Sequence, residues 1–247
     1  MSIFKLLIFV SLFVCNKKNI LKMAEDWYKE FLKRLNDSEK MHAPKELFFE
    51  GDCSLLLEGV KVAVVGSRKP SDHGISRAIY FTEQLVKHNI TVVSGLAEGI
   101  DSVAHETAIK NSGKTIAVLG TPLNKCFPTK NKYLLEIIKK EHLAISQFPE
   151  NYPLTKNNFP MRNRTMALIS DATVIVEANE NSGTRHQGWE ALRLGRLVFI
   201  MNNVAMDPAL TWPQKMIKYG AQILNREDLS DILDDIPNFT ANVDFAY

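Results

Sequence analysis

VKVAVVGSR, at residues 60–68, is the stretch of sequence that decides the fold, and TVVSGLAEGID, at residues 91–101, repeats its pattern. Each stretch opens with a run of mostly β-branched apolar residues, which is typical of a strand buried on both faces of a sheet. Between the two stretches, from Ile75 to Val86, apolar residues recur at helical spacing. A strand, a helix and a second strand in this order predict a right-handed crossover between parallel strands.

The same alternation continues toward the C-terminus. Helical patterns follow from about Asp101, over 133–140 and over 188–194, and each is followed by another short apolar run. The alternation predicts an α/β fold: a Rossmann-like, doubly wound, mostly parallel sheet with helices on both faces. The later strands are predicted at 115–119, 143–145, 173–176 and 197–200.

The chain is predicted to hold one main domain, because 247 residues suit one large α/β domain with extensions. An apolar run from Leu6 to Cys15 is too short to cross a bilayer and has no small-residue cleavage site after it. After Met23, apolar residues recur every four positions over 24–36 and predict an amphipathic helix. The predicted domains are 1–22 as an apolar leader or a mis-assigned start, 23–58 as an N-terminal helical extension, 59–233 as the Rossmann-like domain and 234–247 as a C-terminal tail.

The composition is that of an ordinary globular protein and leaves the ligand open. Hydrophobic residues make up 45% of the chain and charged residues 23%, which indicates neither disorder nor low complexity. A net charge of +2 does not by itself indicate nucleic acid, because phosphate binding depends on cations gathered on one surface. The three cysteines have neither disulfide nor metal-ligand spacing, which favours reduced thiols in a cytoplasmic protein without a metal. We expect no membrane partner.

The candidate binding residues come directly after the strands, where ligands of a parallel sheet bind. Glycines there let backbone amides approach a ligand, and the helix N-termini that follow favour an anion such as phosphate. Each glycine alone could serve only a tight turn, and Asp101 could be only an N-cap. No G-x-G-x-x-G follows the first strand, so we expect no nicotinamide or flavin cofactor. The strand-end candidates are Gly66, Ser67, Arg68, Ser94, Gly95, Glu177, Ser182 and Gly183.

Arg162, Asn163 and Arg164 are the sharpest local feature of the sequence. Guanidinium groups bind phosphates in bidentate fashion and stack on bases. We expect the three residues to begin a helix, where cations oppose the helix dipole unless an anion is bound. The alternative is a solvated pair at a helix start. The residues predicted to pack rather than to bind or catalyse are His105, Trp189 and Trp212.

Four motifs occur together in this chain. They are VGSR at 65–68, SGLAEGID at 94–101, FPMRNR at 159–164, and Glu177-Ala178 with Ser182-Gly183. Together they resemble the motifs of the DNA-processing protein A (DprA/Smf) family over roughly residues 44–221. The resemblance implies an extended Rossmann-like fold that binds single-stranded DNA in a basic pocket and helps to load a RecA-type recombinase in natural transformation or recombination. It implies no catalytic reaction. Carried over to this chain, it assigns phosphate contacts to Arg68, Arg162 and Arg164, and the pocket floor to Gly66, Gly95 and Gly183.

The sequence departs from the family pattern at several positions. Pro122, Phe127 and Gln147 stand where the family usually has glycine, tyrosine and glutamate, and Asn202-Asn203 replaces an expected Pro-Gly. Little sequence follows the predicted domain, so we expect no C-terminal winged-helix-like domain of the kind that many members carry. A specialised or reduced function and a homodimer both stay open.

Two other functions fit the same crevice. The related LOG-like nucleotide phosphoribohydrolases cleave an N-glycosidic bond with a P-G-G-x-G-T-x-x-E motif, and the aligned stretch here is NENSGTRHQ at 179–187. Gln187 stands at the glutamate position, where an amide cannot act as general acid or base, and Glu190 lies three residues later. The other function is non-catalytic sensing of a small nucleotide, whereas a strand would need several phosphate contacts and would lose affinity steeply with salt.

Overall fold

The computed structural model describes residues 22, 25–33, 35 and 37–238. Apart from Lys22, the predicted leader lies outside the described residues, and so do residues 239–247 of the predicted tail. Within the described part of the chain, every helix is too short or too polar to span a bilayer.

One eight-stranded sheet organises the described residues. The strands are β1 (Phe48–Gly51), β2 (Lys61–Gly66), β3 (Thr91–Ser94), β4 (Thr115–Leu119), β5 (Leu143–Ser146), β6 (Ala172–Glu177), β7 (Leu197–Met201) and β8 (Gln222–Leu224). Their order in the sheet is β1-β5-β4-β3-β2-β6-β7-β8. All neighbouring pairs are parallel except β1 and β5. The predicted Rossmann-like α/β fold is confirmed.

Helices connect most of these strands. They are α1 (25–33), α2 (Asp37–His42), α3 (Ser54–Leu57), α4 (Asp72–Lys87), α5 (Ile100–Lys110), α6 (Lys132–Glu141), α7 (Asn158–Ile169), α8 (Thr184–Arg193), α9 (Asn202–Ala205), α10 (Trp212–Lys218) and α11 (Leu229–Asp234). A single turn of 3₁₀-helix, Thr129–Asn131, precedes α6.

The helices cover the sheet on both faces. Along β2, Val62 and Val64 point into one apolar cluster with α4 and α5, while Ala63 and Val65 point into another with α7 and α8. Because successive side chains of a strand alternate between faces, a strand buried on both sides is expected to be apolar on both faces, as β2 is from Val62 to Val65. Its first residue, Lys61, is also buried, and its Nζ donates to Gly59 O at 2.7 Å. This explains the continuous apolar run at residues 62–65.

The strand order reverses beside β2. The chain runs from β2 outward through β3, β4 and β5, and then returns to place β6 on the other side of β2. At such a reversal the connections leave the sheet in opposite directions, so a crevice opens beyond the carboxyl ends of the two central strands. The turn after β2 is therefore the position where the fold places a ligand.

The N-terminal helix packs on the main core. Trp27, Tyr28 and Phe31 are buried in the cluster that α7 and α8 also join, and the rings of Trp27 and Phe31 stack with centroids 4.9 Å apart. The predicted amphipathic helix is thus confirmed over 25–33.

Three elements differ from the sequence prediction. The edge strands β1 and β8 were not predicted, and β1 pairs antiparallel with β5 although it falls in the predicted extension. Helix α8 begins at Thr184 rather than near Gly188. The first turn of α8 carries the polar residues Arg185, His186 and Gln187. They interrupt the helical spacing of apolar residues from which the start of a helix is predicted.

Candidate functional site

A cleft of about 550 Å³ opens beyond the carboxyl end of β2. Its walls come from the turn after β2, the start of α5, the first turns of α7 and the loop that leads into α8. We call it the first cleft, and it is the crevice that the reversed strand order predicts. The predicted residues that line it are Gly66, Ser67, Arg68, Arg162, Asn163, Ser182 and Gly183.

Two helix N-termini are tied to the turn after β2. At the start of α5, Ile100 N donates to Ser67 O at 3.1 Å, and at the start of α8, Thr184 Oγ1 donates to Gly66 O at 3.0 Å. Gly66 leaves no room for a side chain, because a Cβ there would lie 2.5 Å from Ile100 Cγ1. Both helices therefore direct their positive dipole ends toward the first cleft.

Arg162 forms the floor of the first cleft. The residue is only 5% exposed, and its Nη1 donates to Val118 O at 3.1 Å. Gly95 makes room for the guanidinium, since a Cβ on Gly95 would lie 1.4 Å from Arg162 Nη1. The Nε of Arg162 is buried and has no hydrogen-bond partner among the described residues. Arg162 is thus a buried cation with unused donor capacity.

Asp101 places a negative charge near this guanidinium. Its Oδ2 accepts hydrogen bonds from Gly95 N at 3.2 Å and from Ala97 N at 3.4 Å. Burial raises the pKa of the Asp101 carboxyl above its ordinary value, while Arg162 and the two amides act in the opposite direction. Burial likewise lowers the pKa of Arg162, which Asp101 opposes. The two charges therefore compensate each other where either alone would be costly.

The rim of the first cleft carries exposed cations and an exposed imidazole. Arg68 and Lys69 follow β2 directly and are exposed, and so is His186 in the first turn of α8. In the described part of the chain, no carboxylate lies within ion-pair distance of Arg68 or Lys69. Lys69 and His186 were not predicted as site residues. The position of Lys69 beside Arg68 was a usable signal, whereas only the folded structure brings His186 to the rim.

Phe159 adds an aromatic ring to the wall of the first cleft. Arg68 Cζ lies 5.7 Å from the ring centroid, which is within the range of a cation–π contact. A Cβ on Gly120 would lie 2.9 Å from Phe159 Cδ1, so glycine at the end of β4 lets the ring approach the backbone closely. Aromatic rings beside cations are surfaces on which the bases of a single strand stack.

The structure does not bring every predicted residue to the first cleft. Ser94 Oγ donates to Val64 O of β2 at 2.7 Å and so ties β3 to β2. Gly95 lies behind Arg162. The carboxylate of Glu177 accepts hydrogen bonds from Ser71 N at 2.8 Å and from Ser71 Oγ at 2.6 Å. Glu177 therefore stabilises the start of α4, where an anion is favourable.

The prediction that Arg162 and Arg164 begin a helix is wrong. Helix α7 begins at Asn158, which places both arginines in its second turn. Residues two positions apart on a helix do not face the same side. Arg164 accordingly does not line the first cleft, and its Nε lies 3.3 Å from Glu190 Oε1 of α8.

The three residues that were predicted to pack do so. His105 is fully buried with its Nδ1 2.7 Å from Thr115 Oγ1, and burial lowers its pKa to about 3. Trp212 is buried, and the half-buried Trp189 makes an edge contact with Tyr219. The described residues contain no group of three or more His, Cys, Asp or Glu side chains placed to hold a metal ion.

A second cleft, of about 460 Å³, lies between α4 and the carboxyl ends of β7 and β8. Of the arginines that line it, Arg77 places Nη2 3.1 Å from Glu177 Oε2. The other, Arg226, holds Cζ 4.3 Å from the ring centroid of Tyr80. Glu227 also lines this cleft. A carboxylate thus pairs with Arg77, whereas Arg226 has no ion pair among the described residues.

The strand order of the sheet reverses beside β2, and helix N-termini and cations surround the crevice at that reversal. These features define a Rossmann-like protein with a candidate anion-binding cleft. Residues 19–237 match the family of DNA recombination-mediator protein A. The chain therefore belongs to this family, which confirms the resemblance to the DprA/Smf proteins.

Individual relatives agree with this membership. The DNA processing protein DprA of Bacillus subtilis is 32% identical over 219 residues, which cover 89% of this chain and 71% of that protein. The X-ray structure of DprA from Streptococcus pneumoniae superposes with a TM-score of 0.73 at 34% identity, covering 84% of this chain and 70% of that one. DprA from Helicobacter pylori, whose structure was reported for its single-stranded DNA binding mode, superposes with a TM-score of 0.70 at 27% identity over 78% of this chain and 89% of that one. The matched share is smaller for other curated sequences, at 66%, 51% and 42% of three of them.

Proposed function

We propose that this chain binds single-stranded DNA in the first cleft and acts in DNA uptake, transformation or recombination by helping to load a recombinase. The observation that carries the proposal is the charge arrangement of the cleft. Arg68 and Lys69 on the rim and Arg162 in the floor accompany one lining carboxylate among the described residues, Asp101, which is already hydrogen-bonded. Membership of the DNA-processing family and the DNA-binding relative from Helicobacter pylori support the same function.

In this proposal the strand is held mainly through its phosphates. Arg68 offers a planar fork of donors that suits phosphate oxygens, and Lys69 adds a second charge beside it. Arg162 raises the positive potential from beneath while it stays bonded to the end of β4. One base stacks on Phe159, whose ring already lies beside Arg68.

The phosphoribohydrolase alternative lacks an available carboxylate. Gln187 lines the first cleft. With its amide oriented to satisfy both ends, its nitrogen donates to Asn163 O at 2.8 Å and its oxygen accepts from Ala167 N at 3.3 Å. Glu190 does not supply the missing carboxylate, because its Oε1 forms ion pairs with Arg193 Nη1 at 2.7 Å and with Arg164 Nε at 3.3 Å. A general acid or base must reach the reacting proton, so we favour binding without catalysis.

The experiment that tests the proposal is a titration with a labelled thymidine oligonucleotide of about 20 nucleotides, repeated from roughly 50 to 200 mM salt. We expect affinity that falls steeply with salt and that adenosine monophosphate does not compete away. Saturation by the monophosphate with little salt dependence would support the nucleotide sensor. Release of free adenine from the monophosphate would support the hydrolase. Either of these results would contradict the proposal.

The partners and location of the protein follow from the same proposal. A strand bound in the first cleft leaves the rest of the surface available to a RecA-type recombinase, and we propose the cytoplasm as the compartment where strand and recombinase meet. A homodimer would place two first clefts on one strand and raise its affinity through multivalency. Co-purification with a recombinase and sedimentation of the purified chain test these two points.

A further inference from the structure

An aromatic surface continues from the first cleft onto the loop after β4. The rings of Phe127 and Phe159 lie with centroids 5.5 Å apart and planes tilted by 48°. Phe159 lines the first cleft and also lies beside Arg68. Phe127 does not line the cleft. We call the two phenylalanines the aromatic platform.

Phe127 exposes 46% of its surface. An exposed phenylalanine leaves apolar area in water, and folding gains nothing from that area. Single exposed apolar residues are ordinary on protein surfaces. Phe127 differs from a single one because its ring touches a ring that forms a wall of the candidate DNA cleft.

The loop that carries Phe127 is held by several hydrogen bonds. Lys125 N donates to Pro122 O at 3.0 Å, and Thr121 Oγ1 donates to Lys125 O at 2.7 Å. Just beyond, Cys126 Sγ donates to Pro128 O at 3.2 Å. The ring is therefore presented by an ordered turn, which lowers the entropy that a ligand must remove on binding.

The platform is flanked by cations in the sequence. Lys125 lies two residues before Phe127, and Lys156 lies three residues before Phe159; both lysines are exposed. Neither lysine forms an ion pair within the described residues. The nearby Glu150 is hydrogen-bonded to Asn124 at 2.9 Å. Aromatic rings interleaved with free cations are typical of surfaces that bind single strands.

We propose that Phe127 is a second base-stacking residue, on which a nucleotide next to the one at Phe159 rests as the strand leaves the first cleft. This inference rests on the proposed binding of single-stranded DNA. Because the two rings are tilted by 48°, bases that stack on them cannot stay parallel to each other. The platform thus accepts an unstacked strand and excludes a duplex, whose bases stack face to face.

The test compares four variants by titration with the same thymidine oligonucleotide. Phe127→Leu keeps the apolar contact with Phe159 and removes the aromatic face, and Phe127→Tyr keeps both. Phe127→Ala removes the whole side chain. The matched control is Tyr219→Ala, since Tyr219 is 75% exposed and lines neither cleft. We expect Phe127→Leu and Phe127→Ala to bind about fivefold to tenfold more weakly, and Phe127→Tyr and Tyr219→Ala to bind within about twofold of the original chain.

A second measurement reports stacking directly. An oligonucleotide that carries 2-aminopurine at successive positions should show one position whose fluorescence is quenched by the original chain and by Phe127→Tyr but recovers with Phe127→Leu. Wild-type affinity and unchanged quenching for Phe127→Leu would overturn the stacking role, even if Phe127→Ala fails to fold.

Failure of the underlying function gives a different pattern. If the unmodified chain binds no oligonucleotide, or if Arg68→Ala leaves affinity unchanged, the first cleft is not the DNA site. The stacking role proposed for Phe127 is then contradicted as well. If Arg68→Ala weakens binding while Phe127→Leu does not, DNA binding in the first cleft is supported and only the stacking role of Phe127 is overturned.

Discussion

The two clefts of this protein lie at the same carboxyl edge of the sheet but differ in how their arginines are paired. In the second cleft, Arg77 is neutralised by Glu177 at 3.1 Å. Arg226 has no ion pair among the described residues, but Glu227 next to it adds a carboxylate to the lining. In the first cleft, Arg68 and Lys69 have no carboxylate within ion-pair distance among the described residues. The comparison teaches that the number of arginines in a cleft matters less than whether the protein has already supplied their counterions.

We expect this difference to decide where a polyanion binds. A phosphate that enters the second cleft must displace or tolerate a carboxylate, and the repulsion offsets its attraction to the arginine. A phosphate that enters the first cleft meets cations whose counterions come from solution and are released on binding. We therefore expect substitutions to affect DNA binding strongly in the first cleft and weakly in the second.

The largest expected difference between the two clefts is in stability. Arg162→Ala removes the bond to Val118 O, leaves a void beside Gly95 and strands the buried charge of Asp101. We expect a loss of about 3–5 kcal/mol in the free energy of unfolding. Arg77→Ala breaks a partly buried pair, but Glu177 keeps its hydrogen bonds from Ser71, so the cost should be about 1 kcal/mol.

Urea denaturation followed by circular dichroism measures both values. Equal and small losses for the two variants would mean that Arg162 is not the buried cation of the floor. The structural difference between the two clefts would then be contradicted.

A smaller effect is expected when the first cleft is given the charge pattern of the second. His186→Glu adds an exposed carboxylate to the rim, where one unit charge near a phosphate costs roughly 1 kcal/mol in water. Oligonucleotide affinity at low salt should fall about fivefold and recover toward the original value at high salt. Glu227→Gln is the matched change in the second cleft and should alter affinity by less than about twofold. Equal effects of the two changes would contradict the assignment of the strand to the first cleft.

The smallest effect concerns Arg164. Its guanidinium pairs with Glu190 away from the first cleft, so Arg164→Ala should change affinity by less than about twofold and leave the salt dependence unaltered. A fluorescence titration across salt concentrations decides this. A loss comparable to that of Arg68→Ala would restore Arg164 to the phosphate site and require a rearrangement of α7 or α8 on binding.

Much of the fold could be predicted from the sequence because the central strands are buried on both faces. A run such as that of β2 has no polar member pointing to solvent, and its period cannot be confused with that of a surface element. The edge strands β1 and β8 were not predicted because they are not buried on both faces. β8 has three residues and an exposed first position, and β1 is partly exposed along its length, so neither carries a clear apolar pattern.

The candidate site was predicted less completely. The turn after β2 could be placed because topology fixes where strand ends meet, and Gly66, Ser67 and Arg68 do line the first cleft. The arginine pair could not be resolved from its spacing alone. Whether Arg162 is buried depends on Gly95, which lies on a different element, and whether Arg164 is free depends on Glu190 of α8.

The central claim is that unpaired cations of the first cleft hold phosphates, and the salt dependence of binding tests it most directly. The measurement is the slope of log affinity against log salt for the thymidine oligonucleotide with the original chain, with Arg68→Ala and with Arg77→Ala, whose arginine pairs with Glu177. Each phosphate contact that is lost should make the slope shallower by about one unit. We predict this change for Arg68→Ala and an unchanged slope for Arg77→Ala. The same slope for Arg68→Ala as for the original chain, in a folded protein, would contradict the account.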